Sequence, residues 1–365
     1  MINRVGRWAG LVSWSLVVFC AFAGVGYASV NGGWLYRVEV VVENQSDGER
    51  RDAGRRALQT VLKRVTGLAR IEALPEIDAA LATSERYYQQ YDYSTRVLEG
   101  ENLTLLNISF DAAEIAKLVR VTALPVWSAN RPNVIAWVVV EKFQTKTFGN
   151  SGISREILGA DQSDVLMAAF KEVASERGLP LIFPTMDLSD RMEVSTGVVW
   201  GQLSSELMRA SRRYDVDALL MGRIIETPFG YRSEWSFTRS DSTISYASEV
   251  SQYSDLASGA VDFVTRELAH RYAVLSGDGG LLRFSVHNVT GLEAYSGVLA
   301  YLGELEFVDS VQVEQVERGA LVIAIQTNSS WSQFTDLLAL DGVLQSQGVY
   351  YAAQQKVLVW RGKRP

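Results

Sequence analysis

The chain is poor in the residues that most often carry chemistry. It has 365 residues but one cysteine, Cys20, and two histidines, His270 and His287. Cys20 lies in a segment that we expect to be removed on export, so the mature chain has no thiol for a disulfide, a nucleophile or a metal site. The histidines fall in different regions, and no Glu or His stands at a helical metal-ligand spacing to either. We therefore expect no metal site.

Recognised catalytic and cofactor motifs are also missing. The sequence contains neither a P-loop nor a dinucleotide-binding glycine pattern. The stretch Gly149–Ile153 departs from the nucleophile elbow G-x-S-x-G at its last position. A Ser-His-Asp triad remains possible by residue count alone. We nevertheless predict a protein that binds rather than catalyses, with no catalytic residues and no cofactor.

Basic charge is in short supply as well. The formal net charge is −7, and loss of Arg4 and Arg7 with the export segment lowers it to −9. Such a chain lacks the basic footprint of a nucleic-acid binder. With 47% hydrophobic and 21% charged residues, it has the composition of a globular protein.

The first 28 residues predict an export signal. Arg4 and Arg7 precede an almost wholly apolar run, Trp8–Phe22, and Gly26 and Ala28 are small residues suited to a cleavage site before Ser29. The apolar run, counted to Ala28, is also long enough to span a bilayer, so an uncleaved inner-membrane anchor is the alternative. Either way, the body of the chain is expected in the periplasm, because the positive flank stays inside.

The remaining chain predicts an α+β protein of three small α/β-layered domains. We place them at 29–126, 127–276 and 277–365, the last after the break Gly277–Gly280. The last region reads strand-helix-strand-strand-helix-strand, which is the ferredoxin-like order. Alternating and helical apolar periods support these assignments.

The stretch Val199–Ile225 organises the middle region. Apolar residues from Val199 to Tyr214 recur at spacings of three and four, which predicts one amphipathic helix. Val216–Ile225 is nearly all apolar, as in a central strand covered on both faces. Earlier in this region, Phe148–Ala160 is polar and contains glycine, which predicts a loop.

Three sets of residues are candidates for a ligand or partner surface. Arg51 and Arg55 lie on the basic face of a helix that follows a capping box at Ser46; they form either a docking surface or an ordinary solvated helix face. Tyr88 and Tyr91 form either a sugar-stacking platform or core packing. Asp187 and Asp190 follow a strand end, where they either bind a ligand or cap a helix.

Several segments together resemble the bacterial envelope family called domain of unknown function 2066. They occur in order along the chain: Leu35–Val40, Val61–Gly67, Tyr88–Tyr91, Arg131-Pro132, Arg177–Leu181, Pro184–Asp190, Arg213-Tyr214 and Ala218–Gly222. The resemblance implies an exported protein of a Gram-negative bacterium; the family has no assigned activity.

The middle region is more distantly similar to a small α/β domain of envelope-assembly proteins. The likeness rests on Arg213–Asp215, Val216–Gly222 and the following hairpin with Trp235. Proteins with such a domain include the Tol-Pal periplasmic protein, the curli secretion lipoprotein and the flagellar T-ring protein. The likeness implies partners that are envelope proteins.

From these observations we expect a periplasmic, non-enzymatic protein that supports envelope assembly through contacts with other envelope proteins. Membrane contact is expected through the N-terminal segment alone, if that segment is not cleaved. The alternative is a periplasmic binder of a small ligand or glycan at Tyr88 and Tyr91 or beside Asp187 and Asp190.

Overall fold

The computed structural model describes residues 32–98, 100–145, 151–160, 165–240, 242–275, 279–350 and 355–362. The predicted export segment lies outside the described residues. Gly32–Pro365 forms one compact unit. None of the helices described is both long and apolar enough to cross a membrane.

The first region consists of a small antiparallel sheet covered by helices. Its elements are β1 (Arg37–Val42), α1 (Asp47–Thr66), α2 (Pro75–Ala82), β2 (Tyr88–Leu98), β3 (Glu101–Phe110), α3 (Ala112–Val121) and the short β4 (Pro125–Val126). The strand order is β1-β3-β2, and β2 and β3 form an antiparallel hairpin. The Ser46 hydroxyl accepts a hydrogen bond from the Glu49 amide and starts α1, and Gly67 ends it at a φ of 73°.

The central sheet lies between two helical layers. Its elements are β5 (Val134–Thr145), β6 (Ser151–Ile157), α4 (Val165–Arg177), β7 (Leu181–Ile182), α5 (Leu188–Glu193), α6 (Thr196–Trp200), α7 (Ser204–Ser211), β8 (Ala218–Thr227), β9 (Gly230–Arg239), β10 (Ser242–Val250), α8 (Tyr253–Tyr272) and the short β11 (Val274–Leu275), which pairs with β4. The strand order is β10-β9-β8-β5-β6, and β7 pairs with β5.

Strand β8 is buried on both faces, as predicted. Leu220 and Ile224 face the layer of α4 and α8, whereas Leu219 and Met221 face that of α6 and α7. It runs parallel to β5 and antiparallel to β9. Gly222 stands opposite Trp235, where a Cβ atom would lie 2.2 Å from the indole ring.

Two local predictions for this region were wrong. The predicted helix that starts at Val199 is broken into α6 and α7, because the chain turns at Gly201–Leu203 and Gln202 has a φ of 51°. The predicted loop Phe148–Ala160 contains β6, which pairs with β5 through the alternating Ile153, Arg155 and Ile157. Residues 148–150 of that stretch lie outside the described residues.

The last region modifies the predicted ferredoxin-like order. Its elements are β12 (Gly280–His287), α9 (Gly291–Gly303), β13 (Ser310–Glu317), β14 (Ala320–Thr327), α10 (Trp331–Leu338), β15 (Leu344–Tyr350) and β16 (Gln355–Trp360). The sheet order is β13-β14-β12-β16-β15. Strand β16 is inserted beside β12, so β15 lies at the outer edge of the sheet.

A connecting segment, Trp127–Arg131, contacts all three regions. The Trp127 amide donates to the Val65 carbonyl of α1 at 2.7 Å, and the Ser128 hydroxyl donates to Glu306 at 2.7 Å. The Asn130 side-chain amide donates to the Leu337 carbonyl of α10 at 2.9 Å. The backbone that joins the first region to the central sheet is therefore itself bonded to the last region.

Arg131 is the central group of this segment. It is buried, and its guanidinium lies over the Trp127 ring at 3.8 Å. It donates to four carbonyl oxygens, those of Arg64, Trp127, Ser128 and Gly178. Burial lowers the pKa of Arg131 to about 9, because the guanidinium loses its hydration. The four carbonyl oxygens replace that hydration.

Two further buried arginines strengthen the same junction. Arg64 donates to the Ser175 carbonyl at 2.7 Å and to the Arg37 carbonyl at 2.6 Å. Arg177 donates to the carbonyls of Gly67 and Leu68 and forms an ion pair with Asp262 at 2.7 Å. Each cation joins α1 or its C-terminal end to α4.

We expect Arg131→Met to destabilise the fold by about 3–5 kcal/mol, because several buried carbonyl groups would lose their donor. Urea unfolding followed by circular dichroism measures the change. Arg120→Met is the matched control: Arg120 forms an exposed ion pair with Asp309, so the expected loss is below about 1 kcal/mol. Equal losses for the two variants would contradict the importance given to Arg131.

Candidate functional site

Asp187 and Asp190, both predicted site residues, lie together around α5. Asp187 is the N-cap of α5, and its carboxylate accepts from the Asp190 amide at 3.0 Å. Asp190 is buried and accepts from the Tyr214 hydroxyl at 2.5 Å and from the Met186 amide at 2.9 Å. Arg213 donates to both carboxylates. A ligand of this pair would have to displace Arg213.

The same contacts explain the acidity of Asp187. The Arg213 guanidinium and then the Asp190 amide lower the pKa of Asp187 to about 2, since both bond the charged form. In chemical terms the cluster is a cap and an ion pair that hold α5 against the Arg213-Tyr214 turn. Among the described residues, no group of three or more His, Cys, Asp or Glu side chains could hold a metal ion.

Tyr88 and Tyr91 lie in an aromatic cluster at one end of α1. Their ring centroids are 6.0 Å apart, and Tyr88 packs edge-on against Phe110 at 5.3 Å. Tyr88 fits against Gly54, where a Cβ atom would come within 1.8 Å of its hydroxyl. Tyr91 is 46% exposed, and the Arg50 guanidinium lies 5.4 Å from its ring centroid. One ring is therefore wedged into the fold and the other is half open.

Arg51 and Arg55 are exposed residues of α1, the helix whose Arg50 and Gly54 lie against Tyr91 and Tyr88. Their neighbour Arg50 pairs with Asp47 and Glu85, and Arg56 pairs with Glu49. Neither Arg51 nor Arg55 forms an ion pair with another described residue. The structure thus places the arginines on the helix that packs against the tyrosines, whereas Asp187 and Asp190 lie elsewhere, at the central sheet. The ligand roles of all six residues stay predictions.

The histidines lie apart from these groups and from each other. His270 is exposed in the last turn of α8. His287 is exposed at the end of β12.

An exposed apolar surface, which was not predicted from the sequence, lies at one end of the central sheet. Phe143 and Ile153 are cross-strand neighbours on β5 and β6, and they are 66% and 59% exposed. Phe229, at the turn between β8 and β9, is 92% exposed. Because β5 and β8 are parallel, with Glu141 beside Ile225, all three side chains lie at the same end of the sheet. We call this set the apolar end.

Burial falls stepwise along β5 and β6 toward this end. Val139 and Ile157 form a buried cross-strand pair, and the next pair on the same face is the ion pair of Glu141 and Arg155 at 2.8 Å. The Trp200 ring packs over that pair, with its centroid 3.7 Å from the Arg155 guanidinium. Phe143 and Ile153 are one step farther out, beyond the cover that α6 provides.

Sequence signals for the apolar end were present but incomplete. The alternation of Ile153, Arg155 and Ile157 indicates a strand, and Pro228-Phe229-Gly230 indicates a turn. Strand pairing is what makes neighbours of Phe143 and Ile153, and the lack of a covering helix is what exposes them. Neither can be read from a local pattern.

Comparison with known proteins finds a family match for the first region of the chain. Residues 30–128 match the model of a family described as Domain of unknown function (DUF8605). The match covers the first sheet and its helices and ends in the connecting segment. No curated protein and no solved structure matches the chain. Its number differs from 2066, so the resemblance to family 2066 stays a prediction.

We expect Arg213→Gln to return the pKa of Asp187 from about 2 toward the usual value of about 3.9. The lowered pKa means that the Asp187–Arg213 pair stabilises the fold above pH about 4, and that this contribution is lost as the pH falls through about 2. Carboxyl carbon shifts in an NMR titration give the midpoint. Arg209→Gln, on the exposed side of α7, should leave it unchanged, and an unaltered midpoint in Arg213→Gln would refute the assignment.

Proposed function

We propose that this protein is exported to the periplasm of a Gram-negative bacterium, where it supports cell-envelope assembly through protein contacts and without catalysis. The arginine-led apolar start of the sequence supports export. The resemblance to family 2066 and the likeness of the middle region to envelope-assembly domains support the envelope role. Neither likeness carries an assigned reaction.

The apolar end of the central sheet is the observation that carries a binding role. Phe143, Ile153 and Phe229 are large apolar side chains gathered at one place and left in water. Burying them against a partner removes apolar area from water, which is the main driving force of protein association. Aromatic side chains of this kind are enriched among residues that dominate binding energy.

The charges around the apolar end indicate the chemistry of the partner. Arg155 pairs with Glu141 and Arg223 pairs with Glu234, so the flanking cations are neutralised within the chain. The surface therefore fits an envelope protein that presents an apolar patch with a polar rim, rather than a strongly charged partner.

The small-ligand or glycan alternative has narrower support. It rests on the half-exposed Tyr91 ring and on the neighbouring Arg51 and Arg55. The same region contains a pocket of about 280 Å³. Its lining includes Tyr36, Arg37, Asp111 and Phe110, the ring that packs against Tyr88. The Asp111 carboxylate already accepts from the Ala113 and Glu114 amides.

The export proposal predicts that the product is periplasmic, with Ser29 as its first residue. If the segment is not cleaved, the body should instead be protease-accessible in spheroplasts and remain attached to the inner membrane. Cell fractionation with N-terminal sequencing distinguishes the two forms. A soluble cytosolic product that keeps its first residues would overturn the proposal.

For the binding role, we expect a photo-crosslinking amino acid at Phe143 or Phe229 to give a discrete adduct with an envelope protein in living cells. The controls are Leu292 and Val316, which are 80% and 66% exposed in the last region and should give no such adduct. Mass spectrometry identifies the partner, and Phe143→Lys should abolish the adduct formed at Phe229. Equal adducts at the test and control positions, or none at either, would count against the apolar end as the docking site.

A further inference from the structure

Strand β10 is a long edge strand without the usual protection against pairing. Its nine residues, Ser242–Val250, pair with β9 in unbroken register. Ser242–Ser248 carries no charge, and the strand contains no proline or glycine. Natural edge strands are commonly protected by charged residues, prolines, bulges or short length, because their open backbone groups otherwise recruit another strand.

The other edges in the described structure are protected. Strands β2, β13 and β15 each contain a register shift in their pairing. Strand β1 has six residues and carries Arg37 and Glu39. Strand β6 has seven residues and carries Arg155 and Glu156. Among the described edge strands, then, β10 stands out as long and regular, with Glu249 near its end as its one charged residue.

This edge is also held rigidly in an extended form. On the α8 side, Tyr246 stacks on Phe263 with ring centroids 5.4 Å apart. Hydroxyl pairs join β10 to β9: Thr243 to Thr238 at 2.8 Å, Ser245 to Ser236 at 3.3 Å and Ser248 to Ser233 at 2.9 Å. A pre-ordered strand loses little conformational freedom when a second strand is added.

We propose that β10 pairs antiparallel with β10 of a second copy of this chain, which joins two central sheets across a two-fold axis. The register that uses all nine residues is centred on Tyr246. It places Ser245 opposite Ala247 and Thr243 opposite Glu249, so no like charges meet. Each copy offers one such edge, and the pairing closes at a dimer.

The side chains suit this partner better than an apolar peptide. On the face away from α8, Thr243, Ser245 and Ala247 are small and exposed, which allows close approach of a like strand. The proposal rests on the β10 edge and not on the apolar end, although Phe229 lies near the Val250 end of β10, so it does not depend on the proposed function.

The test uses the full-length chain, purified as the cell processes it. We expect a dimer by light scattering and sedimentation. The double variant Ser245→Lys/Ala247→Lys sets introduced lysines against each other in two cross-strand pairs, and should weaken the dimer by at least about tenfold. Both side chains are exposed in the single copy, so circular dichroism should show an intact fold.

Two controls make the result specific. Gln312→Lys/Gln315→Lys introduces the same charges on the bulged edge β13 and should leave the dimer unchanged. Mixing Ser245→Lys/Ala247→Lys with Ser245→Glu/Ala247→Glu should restore a mixed dimer, since opposite charges then face each other. A monomeric parent chain, or a dimer that tolerates the lysine pair, overturns the proposal.

Discussion

The fold depends on the burial of the Arg131 guanidinium among backbone carbonyl groups. A buried cation is costly unless its donors are bonded, and the Arg131 side chain bonds four carbonyl oxygens from three parts of the chain. Those carbonyls belong to the end of α1, the connecting segment and the residue after α4. A planar guanidinium can reach them at once, which an ammonium group cannot do.

This junction explains how the three larger sheets of the described structure share one compact unit. The first sheet has its own core, whereas apolar packing continues from the central sheet into the last region through α8 and α10. Arg64, Arg131 and Arg177 join the first core to the rest by hydrogen bonds instead. Several segments of the family resemblance, including Val61–Gly67, Arg131-Pro132 and Arg177–Leu181, meet here.

Both proposed surfaces belong to the central sheet and arise from strand geometry. The apolar end exists because the paired strands β5 and β6 extend beyond the cover of α6 and Trp200. The β10 edge is open because the sheet ends there, while α8 covers one face of the strand. Surfaces of this kind need no convergent catalytic groups.

Much of the local structure could be predicted from residue patterns. The capping box at Ser46 and the apolar run of β8 both have short-range causes, so they were predicted correctly. The break between α6 and α7 was not, because the apolar spacing continues across Gly201 while the backbone turns. The insertion of β16 beside β12 was missed for a different reason: strand order depends on contacts between distant segments.

The candidate site divides in the same way. Sequence alone determined that the chain is acidic, contains a single cysteine and is poor in recognised motifs, because composition and spacing need no coordinates. The sequence could not show that Arg213 forms ion pairs with Asp187 and Asp190, or that Tyr88 packs against Gly54. Nor could it show that Phe143 and Ile153 form an exposed cross-strand pair. Those outcomes required the tertiary structure, since exposure and pairing are set by what packs against a residue and not by its neighbours in the chain.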